Sequence, residues 1–203
     1  MHTVKFLLSG EFLMMQNGQL ANPRNKYTRR MKELMVEKKK KNSDTDAIQD
    51  KLSDVEWEGG LYFKEDIGPY LPAEMIRACL IQGAKLSRGG ASVKRTCFVL
   101  ADAPLQYDGP RDIEGLREDL DFRDERMAVV SMRRVLKTRP VFRDWEAEVE
   151  ISYIPEAVDP DDIIRYMTDA GLYIGIGTGR SLGFGRFEAI AQVDGKYSIQ
   201  AAK

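Results

Sequence analysis

Residues 160–188 constrain the fold more than any other part of the chain. They read as a helix that runs into a glycine-rich connection, IGIGTGRSLGFGRFE at 174–188, and then into a strand. Gly175, Gly177, Gly179, Gly183 and Gly185 fall inside that connection, with Gly171 just before it. Glycine loses more backbone freedom on ordering than any other residue, so such clustering implies close backbone approach or left-handed conformations. The order helix, glycines, strand excludes two nucleotide sites. A dinucleotide fingerprint sets G-x-G-x-x-G between a strand and a helix, and here the third position falls on Arg180 or Leu182. A Walker loop requires G-K-[ST], which GRS at 179–181 does not supply. No cofactor is expected.

The remaining elements follow from periodicity. Residues 3–14 read as a first strand with Val4, Phe6 and Leu8 on one face. EWEGGLYFKED reads as a short strand with a turn. YLPAEMIRACLIQGAKL, 70–86, is an amphipathic helix with Pro72 in its first turn. SRGGASVKRTCFVLAD reads as a glycine turn and a strand over 93–101. Residues 126–143 and 145–154 read as consecutive strands, the second with Trp145, Ala147, Val149, Ile151 and Tyr153 on one face. The second helix has Asp159 as N-cap, Pro160 at its first position, and Asp161 and Asp162 at the positive end of its dipole. Gly171 suits its C-cap. A last strand covers 185–193, and the tail from Gly195 is expected to fray. The result is an α+β, ferredoxin-like (RRM-like) β-α-β-β-α-β core in one domain over 1–203, its antiparallel sheet covered by two helices on one face. The additions to that core are a basic helical insertion at 16–60 after the first strand, an acidic loop at 102–125, and the C-terminal glycine-rich loop.

Charge is segregated along the chain. The net charge is −1, so any argument for nucleic acid must be local. Residues 24–41 carry a local +7, and Arg29, Arg30, Lys38, Lys39 and Lys40 could lie along a phosphate backbone; the alternative is a solvated helix. Residues 102–125 carry −6, whereas 126–143 hold six basic residues and no acidic one. Arg133, Lys137 and Arg139 share a strand face, with Arg143 on the same parity if the strand stays regular past Pro140. Arg134, Lys94 and Arg95 add further positive charge. In the glycine loop, backbone amides could approach phosphate oxygens, Arg180 and Arg186 could neutralise them, and Ser181 could donate a hydrogen bond. The alternative for the strand is an edge protected by charge. Tyr27, Phe142, Phe184 and Phe187 could stack on bases or fill the core. Opposite charges on one molecule also invite head-to-tail association of copies.

Chemistry by histidine is narrowly limited. His2 stands alone, which removes Ser-His-Asp and Cys-His arrangements and multi-histidine metal sites, and leaves only a lone general base. Cys79 and Cys97 have no metal-ligand spacing and read as buried residues of a reducing compartment. No run approaches the ~18 apolar residues that span a bilayer. MHTVKFLLSGEFLMM lacks the pattern of a signal peptide, so a cytoplasmic protein with no membrane contact is expected.

The glycine connection, read as GIGTGRSLGFGRFE, closely resembles the signature of the RAMP superfamily, the repeat-associated proteins of CRISPR systems that bind or process guide RNA. YLPAEMIRACLIQGAKL is similar to that family's Leu-Pro-led first helix, and RRVLKTRPVFRDWEAEVEI to the strand pair of its guide-RNA backbone subunits. The resemblance spans most of the chain outside 16–60 and 102–125. It implies an RNA-binding structural subunit, not itself an enzyme, that holds the backbone of a guide RNA. Repeated copies would sit with other effector subunits in a ribonucleoprotein complex for antiviral defence. The chain is shorter than many backbone subunits and its acidic segment has no counterpart there, which leaves the subgroup open, a viral or mobile-element homologue included. Two alternatives stand beside it. One is an endoribonuclease of the same superfamily using His2 or an aspartate such as Asp44, Asp46 or Asp54, none of which the spacing selects. The other is a protein-interaction module that mimics a backbone subunit.

Overall fold

The computed structural model describes residues 1–130, 132–193 and 196–198. The protein is mixed α+β with antiparallel sheets, and it divides into two compact units. Unit one comprises Met1–Leu13, Phe63–Asp108 and Phe142–Lys203; unit two comprises Met14–Tyr62 and Gly109–Val141. Of the tail expected to fray, Gly195 and residues 199–203 lie outside the described residues. Among the described residues, no helix is long and apolar enough to cross a membrane.

Unit one is built on a sheet. Its strands are β1 (His2–Met14), β4 (Cys97–Phe98), β7 (Arg133–Tyr153, from Phe142 onward), β8 (Glu188–Val193) and β9 (Lys196–Ser198), in the spatial order β4-β7-β1-β8-β9. Two helices follow the expected periodicity. In α3 (Ala73–Leu86), Ile76, Cys79, Leu80 and Ala84 are buried; in α6 (Pro160–Asp169), Ile163, Ile164, Tyr166 and Met167 are. Asp159 caps α6 by accepting from the Asp161 amide, with Pro160 at the helix start. The alternation in β7 is as expected, with Trp145, Ala147, Val149, Ile151 and Tyr153 all buried. A small antiparallel sheet of β2 (Phe63–Lys64), β3 (Gly68–Leu71) and β5 (Ala103–Pro104) completes the unit.

Three local expectations change. Pro72 is the N-cap of α3, after a strand that ends at Leu71. Residues Gly90–Thr96 form a helix, α4, and only Cys97–Phe98 are strand. Lys94 and Arg95 therefore lie in the last turn of a helix, where positive charge suits the dipole, and the Arg77 guanidinium donates to the carbonyls of Lys94 and Cys97. Gly171 is not a C-cap, because the chain runs on from α6 through a π-type turn, Ala170–Ile174, and ends at Gly175. Gly171 is glycine for packing: a Cβ there would strike the Phe187 carbonyl.

The start of α3 is secured from a distance. The Ala73 amide donates to Asp102 Oδ1 at 2.8 Å, and Lys64 Nζ to Asp102 Oδ2 at 2.8 Å. Burial acts against the ionised Asp102 carboxyl, but these two hydrogen bonds outweigh it and hold its pKa below the ordinary 3.8. A depressed carboxylate contributes stability that is present above its unfolded value and lost as pH falls through the lower folded value. Asp102→Asn is thus expected to cost about 1 kcal/mol at neutral pH and to flatten the loss of stability below about pH 4, measured by urea unfolding across pH.

Unit two pairs a helical hairpin with a β-hairpin. The insertion forms α1 (Lys26–Lys38) and α2 (Thr45–Gly60), capped by the Asn25 and Asp44 side chains. Leu34 packs against Ile48 and Leu52, with Met31 and Val55 beside them. Helix α2 runs on to Gly60 because Ser53, Trp57 and Gly60 form a second buried stripe, so the short strand expected within EWEGGLYFKED is confined to Phe63–Lys64; the Trp57 indole donates to the Phe122 carbonyl at 2.9 Å. The acidic segment, expected as a surface loop with room for a short helix, contains one. It holds α5 (Ile113–Glu118), a 3-10 turn at Leu120–Phe122, and the first residues of β6 (Arg123–Val130). Strand β6 pairs with the first part of β7 in register from Arg123 opposite Pro140 to Val130 opposite Arg133. Strand β6 thus ends at Val130 and β7 starts at Arg133, with Met132 at φ +62°, and the expected break near 144 is absent from β7.

Candidate nucleic-acid interface

The glycine loop is held by its own backbone. The Ile176 amide donates to the Gly185 carbonyl at 2.7 Å, the Gly185 amide to Phe12 O at 2.9 Å, and the Gly175 amide to Ala170 O at 2.8 Å. Gly175, Gly177, Gly179, Gly183 and Gly185 all have positive φ, between 71° and 90°. Gly185 is the most constrained, since a Cβ there would overlap the Ile176 carbonyl oxygen. A short 3-10 turn at Arg180–Leu182 uses the amides of Leu182 and Gly183. Among the described residues, the amides of Gly177 to Ser181 have no backbone partner. Arg180 and Ser181 are exposed, and the Arg180 guanidinium has no ion-pair partner among the described residues. The loop thus offers amide donors, a hydroxyl and a free guanidinium on one short surface stretch, a set that suits a phosphate oxygen.

Arg186 differs from Arg180. It is half-buried and lines a cleft with Glu11, Asp144, Glu146 and Glu188. That acidic setting opposes the phosphate role expected of it. Below the loop, the Cys79 thiol donates to the Gly175 carbonyl at 3.3 Å, and burial pushes its pKa up to about 12 against the pull of Arg180 and Arg186. Cys97 is also buried, so both cysteines are the packed thiols expected.

The solvent face of the sheet presents Glu146, Glu148 and Glu150 along β7, with Glu188 on β8. Lys5 answers Glu150 at 3.5 Å. A phosphate backbone laid across this face would meet repulsion.

The other expected cations fall into two groups. Lys94, Arg95 and Arg143 belong to unit one with the loop, and Arg143 stacks over the Phe12 ring at 5.7 Å. Asp144, at φ +45°, shifts the alternation of β7, so Thr138 and Pro140 are buried before it and Trp145 and Ala147 after it. The shift falls after Arg143, whose parity along β7 is that of Lys137 and Arg139, with Val141 buried between them. Unit two contains Arg29, Arg30, Lys38, Lys39, Lys40, Arg133, Arg134, Lys137 and Arg139. Four of these have intramolecular partners: Arg30 with Glu33, Lys38 with Gln49, Lys137 with Glu56, and Arg139 with Gln16. Lys38, Arg133 and Lys137 come together around a groove of about 470 Å3 floored by Met31, Met35 and Leu52. Arg29, Lys39, Lys40, Arg133 and Arg134 are exposed and have no side-chain partner among the described residues. The sequence could not separate the two classes, because Glu56 and Gln16 are far from their partners in the chain.

The aromatic candidates divide in the same way. Phe142 and Phe187 are buried, and Tyr27 donates to Glu58 at 2.9 Å. Phe184 alone stays half-exposed at the loop, 4.7 Å from the Phe12 ring. Three of the residues considered for catalysis have contacts of their own. His2 sets its ring edge against Tyr153, Asp44 caps α2, and Asp54 pairs with Arg123. Among the described residues, no group of three or more His, Cys, Asp or Glu is placed to hold a metal ion. No family model and no curated protein matches the chain.

Proposed function

We propose that this protein is an RNA-binding structural subunit of RAMP type, working in the cytoplasm and holding the backbone of a guide RNA. The observation that carries the reading is the loop at 177–181: unused amides, Ser181 and an unpaired Arg180 beside glycines that bring the backbone to the surface. The free cations of unit two, Arg29, Lys39, Lys40, Arg133 and Arg134, extend the same chemistry. A ferredoxin-like core in unit one is supported by the chain order β1, α3, β4, β7, α6, β8 and by the sheet order β4-β7-β1-β8. Exposed acids at Glu114, Glu118 and Asp121, against the basic surface of α1, support repeated copies associating head to tail along the strand with other effector subunits.

The test is RNA affinity against salt. Single-stranded RNA is expected to bind with a log–log slope of about −0.7 for each phosphate neutralised. Arg180→Ala weakens binding alike for every sequence and reduces the slope by about 1, as does Arg133→Ala. A protein that binds no RNA with salt-dependent affinity is not such a subunit. Light scattering of the same mixtures reports the assembly.

A further inference from the structure

Unit two carries two complementary surfaces. The first is the groove of about 470 Å3 between α1, α2 and the start of β7, floored by Met31, Met35 and Leu52. Met35 is 53% exposed, and methionine adapts its shape to whatever covers it. Lys38, Arg133 and Lys137 stand at the edge of the groove against the single carboxylate of Glu56, which leaves it net positive. The Lys38 ammonium has three donors, and Gln49 takes one of them at 2.7 Å. The second surface is the acidic tip Glu-Asp-Leu-Asp at 118–121. Leu120 is 73% exposed, and among the described residues it alone of the exposed large apolar side chains has an acid on each side, Asp119 and Asp121. Glu118 is exposed as well. The buried side chains of Leu116 and Phe122 anchor the segment on either side of Leu120, so the leucine is held outward.

Helix geometry sets these surfaces on opposite sides of α2. At about 100° per residue, Gln49, Leu52 and Glu56 share the face that lines the groove. Asp54 and Glu58, which pair with Arg123 and with Arg117 of α5, project from the opposite face. A chain's own Leu120 is therefore turned away from its own groove, and a second copy supplies the complement. We infer that Leu120 of one copy seats in the groove of the next, on Met31, Met35 and Leu52, with Glu118 against Lys38. The apolar anchor supplies affinity, and the opposed charges set the register. Because tip and groove are different surfaces, the contact is heterologous: each docked pair leaves one tip and one groove open, and further copies add in a row. The inference deepens the head-to-tail reading above and rests on it, but it does not require RNA.

Sedimentation velocity at low salt, with and without single-stranded RNA, tests it. The unaltered protein is expected to form a concentration-dependent series of oligomers. Leu120→Lys removes the tip and Met35→Asp spoils the groove; both side chains are exposed, so the fold is kept. Each variant alone should associate at least about tenfold more weakly. Mixed one to one, they should form a dimer and stop there, since each still carries the half that the other lacks. The charge pair gives a second reading should either variant misfold. Glu118→Lys or Lys38→Glu alone should weaken association about fivefold, and the two together in one chain should restore it. Association that Leu120→Lys and Met35→Asp leave unchanged overturns the groove inference and leaves head-to-tail assembly standing. Two folded variants that fail to pair when mixed also overturn it. Groove variants that lower RNA affinity without touching association give the groove to nucleic acid and overturn it too. A monomer throughout, on RNA as well, removes the head-to-tail reading together with the inference.

Discussion

Gly185→Ala is expected to lower the stability of the protein by about 3–5 kcal/mol, a large share of what a domain of this size has. The left-handed backbone at φ +71° costs an L-residue about 1–2 kcal/mol by itself. The added methyl also overlaps the Ile176 carbonyl oxygen, and Ile176 cannot withdraw without breaking its own 2.7 Å hydrogen bond to the Gly185 carbonyl. Gly183→Ala is the control. Its φ is +90°, but nothing lies within 4 Å of the new methyl, so only the conformational cost of about 1–2 kcal/mol remains. Urea midpoints of the two variants separate steric closure of the loop from glycine content as such. Equal losses would mean that the Gly185–Ile176 contact does not set the loop.

Trp57→Ala should cost about 3–5 kcal/mol and fall on unit two. The side chain is fully buried, and its removal leaves a large cavity and takes away the indole donor that the Phe122 carbonyl accepts. Trp57→Phe keeps most of the volume and isolates the hydrogen bond, with an expected cost of about 1–2 kcal/mol. Hydrogen exchange at amides of α2 and of the β6–β7 hairpin would register the loss. Unchanged protection in Trp57→Ala would contradict the role given to this side chain.

Both sites bear on what could be read in advance. The glycine connection was legible as a constrained helix-to-strand loop, because glycine at closely spaced positions has few other physical explanations. Which glycine is indispensable was not legible, since the Ile176 carbonyl reaches Gly185 only through the loop's own closure. Trp57 stood in a run that read as a strand. Its helical stripe, Ser53, Trp57 and Gly60, is a packing pattern against partners distant in sequence. The sequence between Val130 and Arg133 holds no glycine or asparagine, so a strand break there is not legible in it.

The candidate interface divides along the same line. Arg180 and Arg186 look equivalent in the sequence, six residues apart among glycines. Carboxylates from β1, β7 and β8 gather around Arg186, whereas Arg180 stays exposed and unpaired. Lys137 and Arg139 likewise look as free as Arg133 until Glu56 and Gln16 meet them.

By itself, the sequence determined the features that depend on neighbours within a few residues. These are the helical faces of α3 and α6, the Asp159 cap with Pro160, the alternation from Trp145 to Tyr153, and the segregation of charge. Such features follow from backbone periodicity and local hydrogen bonding, which nearby residues decide. Only the tertiary structure decided which cations find partners among the described residues and where the acidic face of the sheet lies. Each of those is set by groups tens of residues apart that the fold brings within hydrogen-bonding or Coulombic range.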